Sequence, residues 1–92
     1  MLPLSNHDIA AHLLNLRDWQ LEAGALVRVY QFPDFRSALG FVNRVGELAE
    51  EAGHHPDIDI RYNRVRLSLV THDAGGLTGK DFDLATRADK LA

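Results

Sequence analysis

Residues 58–71 carry the pattern that most restricts the fold. Ile58, Ile60 and Tyr62 alternate with Asp57, Asp59 and Arg61, and Val65, Leu67 and Leu69 alternate with Arg66 and Ser68. Alternation of period two describes strands with one face buried and one face wet. A two-residue turn at Asn63-Arg64 pairs 62 with 65, 60 with 67 and 58 with 69, and sets all six apolar residues on one face. A three-residue loop would set Leu against Asp, because a slip of one residue turns every side chain over. Carried outward, this register sets Pro56 opposite Thr71 and His55 opposite His72. Opposed residues of an antiparallel pair have Cβ atoms about 4.5–5.5 Å apart, so two imidazoles are expected to converge at one rim of the sheet.

The rest of the chain reads as helices and a second hairpin. Ser5 and Asp8 have the spacing of a capping box, and Ile9, Ala10, Leu13, Leu14 and Leu16 predict a helix over 6–16. Residues 19–23 and 26–32 read as a hairpin turning near Gly24. Pro33 ends it and Asp34 caps the next helix. Phe35, Ala38, Val42, Val45, Ala49 and Ala52 recur at three- and four-residue steps and predict an amphipathic helix over 35–52. Gly40 and Gly46 inside it are expected to mark close approach to the sheet, and Gly53 closes it. After Gly75-Gly76, Thr78 and Asp81 form a second capping box for a helix over 79–91. The order helix, two strands, helix, two strands, helix makes a single α+β domain over residues 1–92. It is a four-stranded antiparallel sheet with three helices on one face.

Composition closes off several functions. The chain has 92 residues and no cysteine, which removes disulfides, thiolate nucleophiles and Cys-based zinc sites. It also fits a reducing compartment, so a cytoplasmic location is expected. Ten Lys and Arg against thirteen Asp and Glu, a net charge of −3, make no case for nucleic acid or an anionic membrane surface. No apolar run approaches the roughly 20 residues of a membrane span, and the first residues lack the pattern of a signal peptide.

Five histidines remain, three of them (His54, His55 and His72) in one third of the chain. Imidazole exchanges protons near neutral pH, with an ordinary pKa of about 6.5. The three rings could bind a metal, run acid–base chemistry on an organic substrate, or be solvated junction residues. Adjacent His54 and His55 suit chelation poorly, since neighbours on extended chain point to opposite sides, and Pro56 biases His55 to extended backbone. Acid–base chemistry needs only a donor and an acceptor on different substrate atoms. Glu50 and Glu51, in the last turn of a helix whose dipole disfavours anions, read as a solvated face or as a carboxylate near His54. Trp19, opening an edge strand, reads as core or as a surface on which a flat heterocycle could stack.

The spacing Glu50, three residues, His54-His55-Pro56, five, Tyr62, nine, His72, eight, Asp81 resembles that of the pterin-4a-carbinolamine dehydratases. Thr71-His72-Asp73, Gly76-Leu77-Thr78, Trp19 and Tyr30-x-Phe32 agree, and the likeness covers residues 17–91. It implies dehydration of 4a-hydroxytetrahydropterin to quinonoid dihydropterin, recycling the tetrahydropterin of aromatic amino acid hydroxylases, with no metal and no organic cofactor. By position, His54 and His55 resemble the acid–base pair, and His72 a binding group that shares catalysis. Glu50 and Asp81 resemble supports for the rings. Trp19, with Pro56 and Thr71, resembles part of the pterin site. The resemblance also implies a homo-oligomer, dimer or tetramer, and a functional link to a hydroxylase. A non-catalytic binding module on the same fold, acting through protein contacts, is the alternative.

Overall fold

The computed structural model describes all 92 residues, Met1–Ala92. Helix α1 (Asn6–Leu13) precedes strands β1 (Gln20–Glu22) and β2 (Ala25–Gln31) and the long helix α2 (Phe35–Ala52). Strands β3 (Asp57–Arg61) and β4 (Arg64–Leu69), a 3-10 turn at His72–Ala74 and helix α3 (Gly79–Leu91) follow. The strands form one antiparallel sheet in the order β1-β2-β4-β3.

One face of this sheet carries the core. Leu26 and Tyr30 of β2 and Val65, Leu67 and Leu69 of β4 are buried against Ala38, Phe41, Val45 and Leu48 of α2 and Phe82, Leu84, Ala85 and Ala88 of α3. The other face stays wet, with Arg66 bonded to Glu22 at 3.0 Å across it. Helix α1 has no fully buried residue and packs through half-buried Ile9 and Leu13. It stops at Leu13 because residues 14–16 tighten into bonds that reach back three residues, a turn that delivers Leu16 to the core. Ser5 caps α1 by accepting from the Asp8 N–H at 3.1 Å, one arm of the expected box. No helix is long and apolar enough to cross a membrane.

Two expectations need correction. A Cβ added at Gly46 would meet nothing within 4 Å, and at Gly40 only the Arg44 guanidinium, so neither glycine marks close approach to the sheet. The second concerns register. The β3–β4 pairs are Arg61 with Arg64, Ile60 with Val65 and Ile58 with Leu67, around a turn at Tyr62-Asn63. The whole ladder is offset by two residues from the predicted one. Asn63 decides this, because it continues the β2–β4 ladder: its carbonyl accepts from Phe32 N–H at 2.9 Å, and its amide donates to Phe32 C=O at 2.8 Å. Tyr62 is left exposed in the turn, at φ +51°. The ladder ends at Asp57, and His72 opens a 3-10 turn, so His55 and His72 are not cross-strand partners.

The β1–β2 turn has left-handed backbone at both central residues, Ala23 (φ +51°) and Gly24 (φ +82°). This is the hairpin turn for which Asn-Gly is the preferred pair. A left-handed Ala costs roughly 1–2 kcal/mol, and Asn tolerates that conformation better. Ala23→Asn is therefore expected to stabilise the fold by about 0.5–1 kcal/mol, a rise of about 2–8 °C in the thermal midpoint of a domain this size.

Candidate active site

The site is organised around a carboxylate with no exposed surface. Thr78 caps α3, and Asp81, three residues on, completes the capping box, its Oδ2 accepting from Thr78 N–H at 2.9 Å. Asp81 is 0% exposed. The same Oδ2 accepts from the Thr71 hydroxyl at 2.8 Å, and Oδ1 lies 2.6 Å from His54 Nε2. These contacts fix the proton positions. A carboxylate only accepts, so Thr71 donates its single proton to Asp81. The Thr78 hydroxyl, 2.8 Å away, must then donate to Thr71, while itself accepting from Lys80 N–H at 3.3 Å. By the same logic His54 donates from Nε2 to Asp81, which leaves Nδ1 as the ring nitrogen not committed to that carboxylate.

The neighbouring ring is held from the opposite direction. Gly53, at φ +62°, ends α2, and Pro56 biases His55 before it to extended backbone. Extended neighbours diverge, so His54 turns inward to α3 while His55 turns out to α2, where its Nε2 meets Glu50 Oε2 at 2.5 Å. His54 is 12% exposed at its side chain and His55 60%, so the first ring is fixed by packing and the second is free to meet solvent. His54, His55, Thr71, His72 and Lys80 line a cleft of about 280 Å³ with Val70 as its one apolar wall. Small-molecule sites start at roughly this size. No three His, Asp or Glu side chains converge on a point that could hold a metal ion.

The structure thus brings His54, His55, Thr71 and His72 to one cleft, although by a bend after Thr71 and not by the cross-strand pairing expected from the sequence. Glu50 and Asp81 stand behind it, each on a different ring, and Pro56 fixes the backbone beside His55. Trp19 lies elsewhere. It is 3% exposed, and its indole N–H points at Asp89, 3.1 Å from both carboxylate oxygens. Asp89 also accepts from Arg28 at 2.9 Å and from the Tyr30 hydroxyl. Eight residues of helix, about 12 Å, separate it from Asp81. Burial, reinforced by Asp89, pushes the Tyr30 phenol well above the ordinary range. The sequence reading missed Lys80 in the cleft. Its signal was a cation in the first turn of a helix, where the dipole disfavours it.

Comparison with known proteins agrees over the whole chain. The profile of the family described as pterin 4 alpha carbinolamine dehydratase matches residues 2–91. A protein of Acidobacterium capsulatum, provisionally named a pterin-4-alpha-carbinolamine dehydratase, is 58% identical over 91 residues, covering 99% of each chain. One of Chloroflexus aurantiacus with the same provisional name is 57% identical over 88 residues, 96% of this chain and 95% of that one. A crystal structure of a transcriptional coactivator/pterin dehydratase from Brucella melitensis superposes with a TM-score of 0.94 at 33% identity, over 98% of both chains. A pterin dehydratase-like protein described as a RuBisCO assembly factor in the alpha-carboxysome superposes with a TM-score of 0.67 at 25% identity, over 80% of this chain and 86% of that one.

Two outcomes follow from the buried polar groups. Thr71→Val leaves the Thr78 hydroxyl without an acceptor and Asp81 short of a donor. It is expected to cost about 1–3 kcal/mol in urea unfolding, with Thr71→Ser retaining most of that. The Tyr30 phenol is raised in the native state, so its contribution is complete below the unfolded phenol pKa of about 10 and is lost as pH rises above it. The stability difference between native protein and Tyr30→Phe is therefore expected to be constant up to about pH 9 and to shrink steadily beyond about pH 10.

Proposed function

The chain belongs to the pterin 4 alpha carbinolamine dehydratase family, and on that premise we propose that it dehydrates 4a-hydroxytetrahydropterin to quinonoid dihydropterin with its own histidines. The observation that carries the reading is the paired support. Two adjacent imidazoles border one cleft, and each has Nε2 committed to a separate carboxylate, Asp81 or Glu50. Both Nδ1 atoms remain for the substrate.

The reaction removes a hydroxyl from C4a and a proton from N5. The N5 lone pair forms the new C4a=N5 bond as the C4a–O bond breaks. The hydroxyl leaves as water once it receives a proton, and N5 gives its proton to a base. In the proposed assignment neutral His54, whose Nε2–H is anchored on Asp81, takes the N5 proton at Nδ1. The anchored carboxylate stands 2.6 Å from the ring that gains charge. His55, in imidazolium form and held by Glu50, gives its Nδ1 proton to the departing hydroxyl. The two rings exchange one proton each with the substrate, so water resets the pair. His72 and Thr71 contact the pterin, and Pro56 holds the backbone that spaces the two rings. Trp19 acts on the site only through the core that it shares with α3. A cytoplasmic location, self-association into a dimer or tetramer and a supply of substrate from an aromatic amino acid hydroxylase complete the proposal.

The relatives described as a coactivator and an assembly factor favour one other reading, a module that works by protein contact. The two readings separate in one assay. The substrate is generated in place by a hydroxylase, and quinonoid product is followed with and without this protein. Native protein is expected to accelerate dehydration, and His54→Ala to lose about 10²–10⁴-fold of the catalysed rate. kcat/KM is expected to fall at both low and high pH, since one ring must be unprotonated and the other protonated. No acceleration by the folded native chain would move the assignment to the contact module.

A further inference from the structure

Two segments far apart in sequence meet beside the cleft. The backbone N–H of Leu4 donates to the carbonyl of Leu77 at 2.7 Å. Beside this bond Pro3 lies against Gly76, and a Cβ added to that glycine would stand 3.0 Å from the Pro3 Cβ. Gly76 does not occupy left-handed backbone, so its missing side chain answers to Pro3 and not to a turn. Gly76 and Leu77 in turn close the loop that bears the site. Thr71 and Gly76 exchange backbone hydrogen bonds at 3.2 and 3.4 Å, with the His72–Ala74 turn between them. Thr78, the next residue after Leu77, supplies the N–H and the hydroxyl that order Asp81 and Thr71.

The element that follows the contact is lightly attached. Helix α1 buries no residue fully, and beyond Ile9 and Leu13 it is held by His12 stacked on Phe82 at 4.7 Å. An element with so little buried surface opens at lower free energy than the core. We propose that Pro3 and Leu4 form a strap over Gly76-Leu77 and are positioning residues for the cleft. Docked, the strap holds the 71–78 loop, and with it His72 and the hydroxyls that feed Asp81. Released, it lets the loop and the site loosen together. The kinetic part of this rests on the dehydratase reading; the structural part does not.

Gly76→Ala forces the strap away, and Pro3→Gly in the same chain removes the atom it strikes. In Gly76→Ala the Leu4 amide is expected to lose about tenfold or more of its hydrogen-exchange protection. The imidazole NMR resonances of His72 and His54 should shift or broaden. KM for the pterin should rise about three- to tenfold with kcat within about twofold. The double variant should return all three to near native values. Loss of Leu4 protection with unchanged histidine resonances and unchanged KM would overturn the proposal and leave the strap a local fastening. Should the native protein not turn over pterin, the exchange and NMR readings still decide. Should Gly76→Ala not fold, Pro3→Gly alone, which adds no heavy atom, loosens the same contact and is read the same way.

Discussion

The buried carboxylate of Asp81 is the constraint on which the rest depends. Removing a charge from water costs several kcal/mol unless hydrogen bonds replace the lost hydration. Here the replacement comes from three places: the α3 cap at Thr78, Thr71 just beyond β4, and His54 beyond the end of α2. Thr71 and Thr78 stand at the two ends of one loop, and His54 lies 27 residues before Asp81. The carboxylate can be buried only when all three have arrived, so the arrangement that satisfies it is also the arrangement that builds the cleft. Stability and site geometry are one requirement. This explains why a fully buried charged group is tolerated in so small a core.

Helix α3 carries another hydrogen-bonded carboxylate, Asp89, close to its other end, and the contrast with Asp81 is informative. Asp81 sits where the helix dipole favours an anion and needs only hydrogen bonds. Asp89 sits where the dipole opposes it. It is met by a guanidinium, a phenol and an indole, and Arg28 also lies 4.2 Å over the Tyr30 ring. That cluster ties the segment before β1, strand β2 and α3 together, and Trp19 belongs to it. Around the cleft the dipole rule is broken twice, by Glu50 at the end of α2 and Lys80 at the start of α3. Charges placed against the local preference are expected where a ligand or a catalytic group needs them. One of the two already holds His55.

Much of the architecture was legible in the sequence, and the exceptions have definite causes. The amphipathic period of α2 and the capping box of α3 set their ranges correctly, because an N-cap, a stripe and a stop at Gly53 agreed at α2 and the Thr78–Asp81 box opened α3. The hairpin of β3 and β4 was legible in the core face of β4, where Val65, Leu67 and Leu69 are buried, and illegible in which residues pair and in the exposure of Ile58 and Tyr62. Alternation has period two, so it excludes odd slips and is blind to even ones. The deciding contacts, Asn63 with Phe32, join residues 31 apart. His72 reached the cleft all the same, because the bend after Thr71 brings the ring back to the same rim. Trp19, read from the sequence as core or as a stacking surface, is core, and its partner was illegible because an indole donor has no preferred partner in sequence and nothing near it marks Asp89. Lys80 was legible only as a breach of the dipole rule, and was passed over.

The His54-His55 pair shows why adjacency, a weak feature by itself, suits the acid–base chemistry proposed for it. On extended backbone successive side chains leave on opposite sides, which is a poor geometry for two ligands on one metal ion. It is a good geometry for two rings that must differ. Pro56 keeps the chain extended, and the divergence sends one imidazole to the buried carboxylate of α3 and the other to the exposed carboxylate of α2. The rings therefore share a cleft and not an environment. One is enclosed and fixed by packing, the other is open to water. An acid and a base drawn from the same residue type must be told apart by their surroundings, as paired catalytic groups are in general. Here the backbone itself, by turning neighbours in opposite directions, creates that difference.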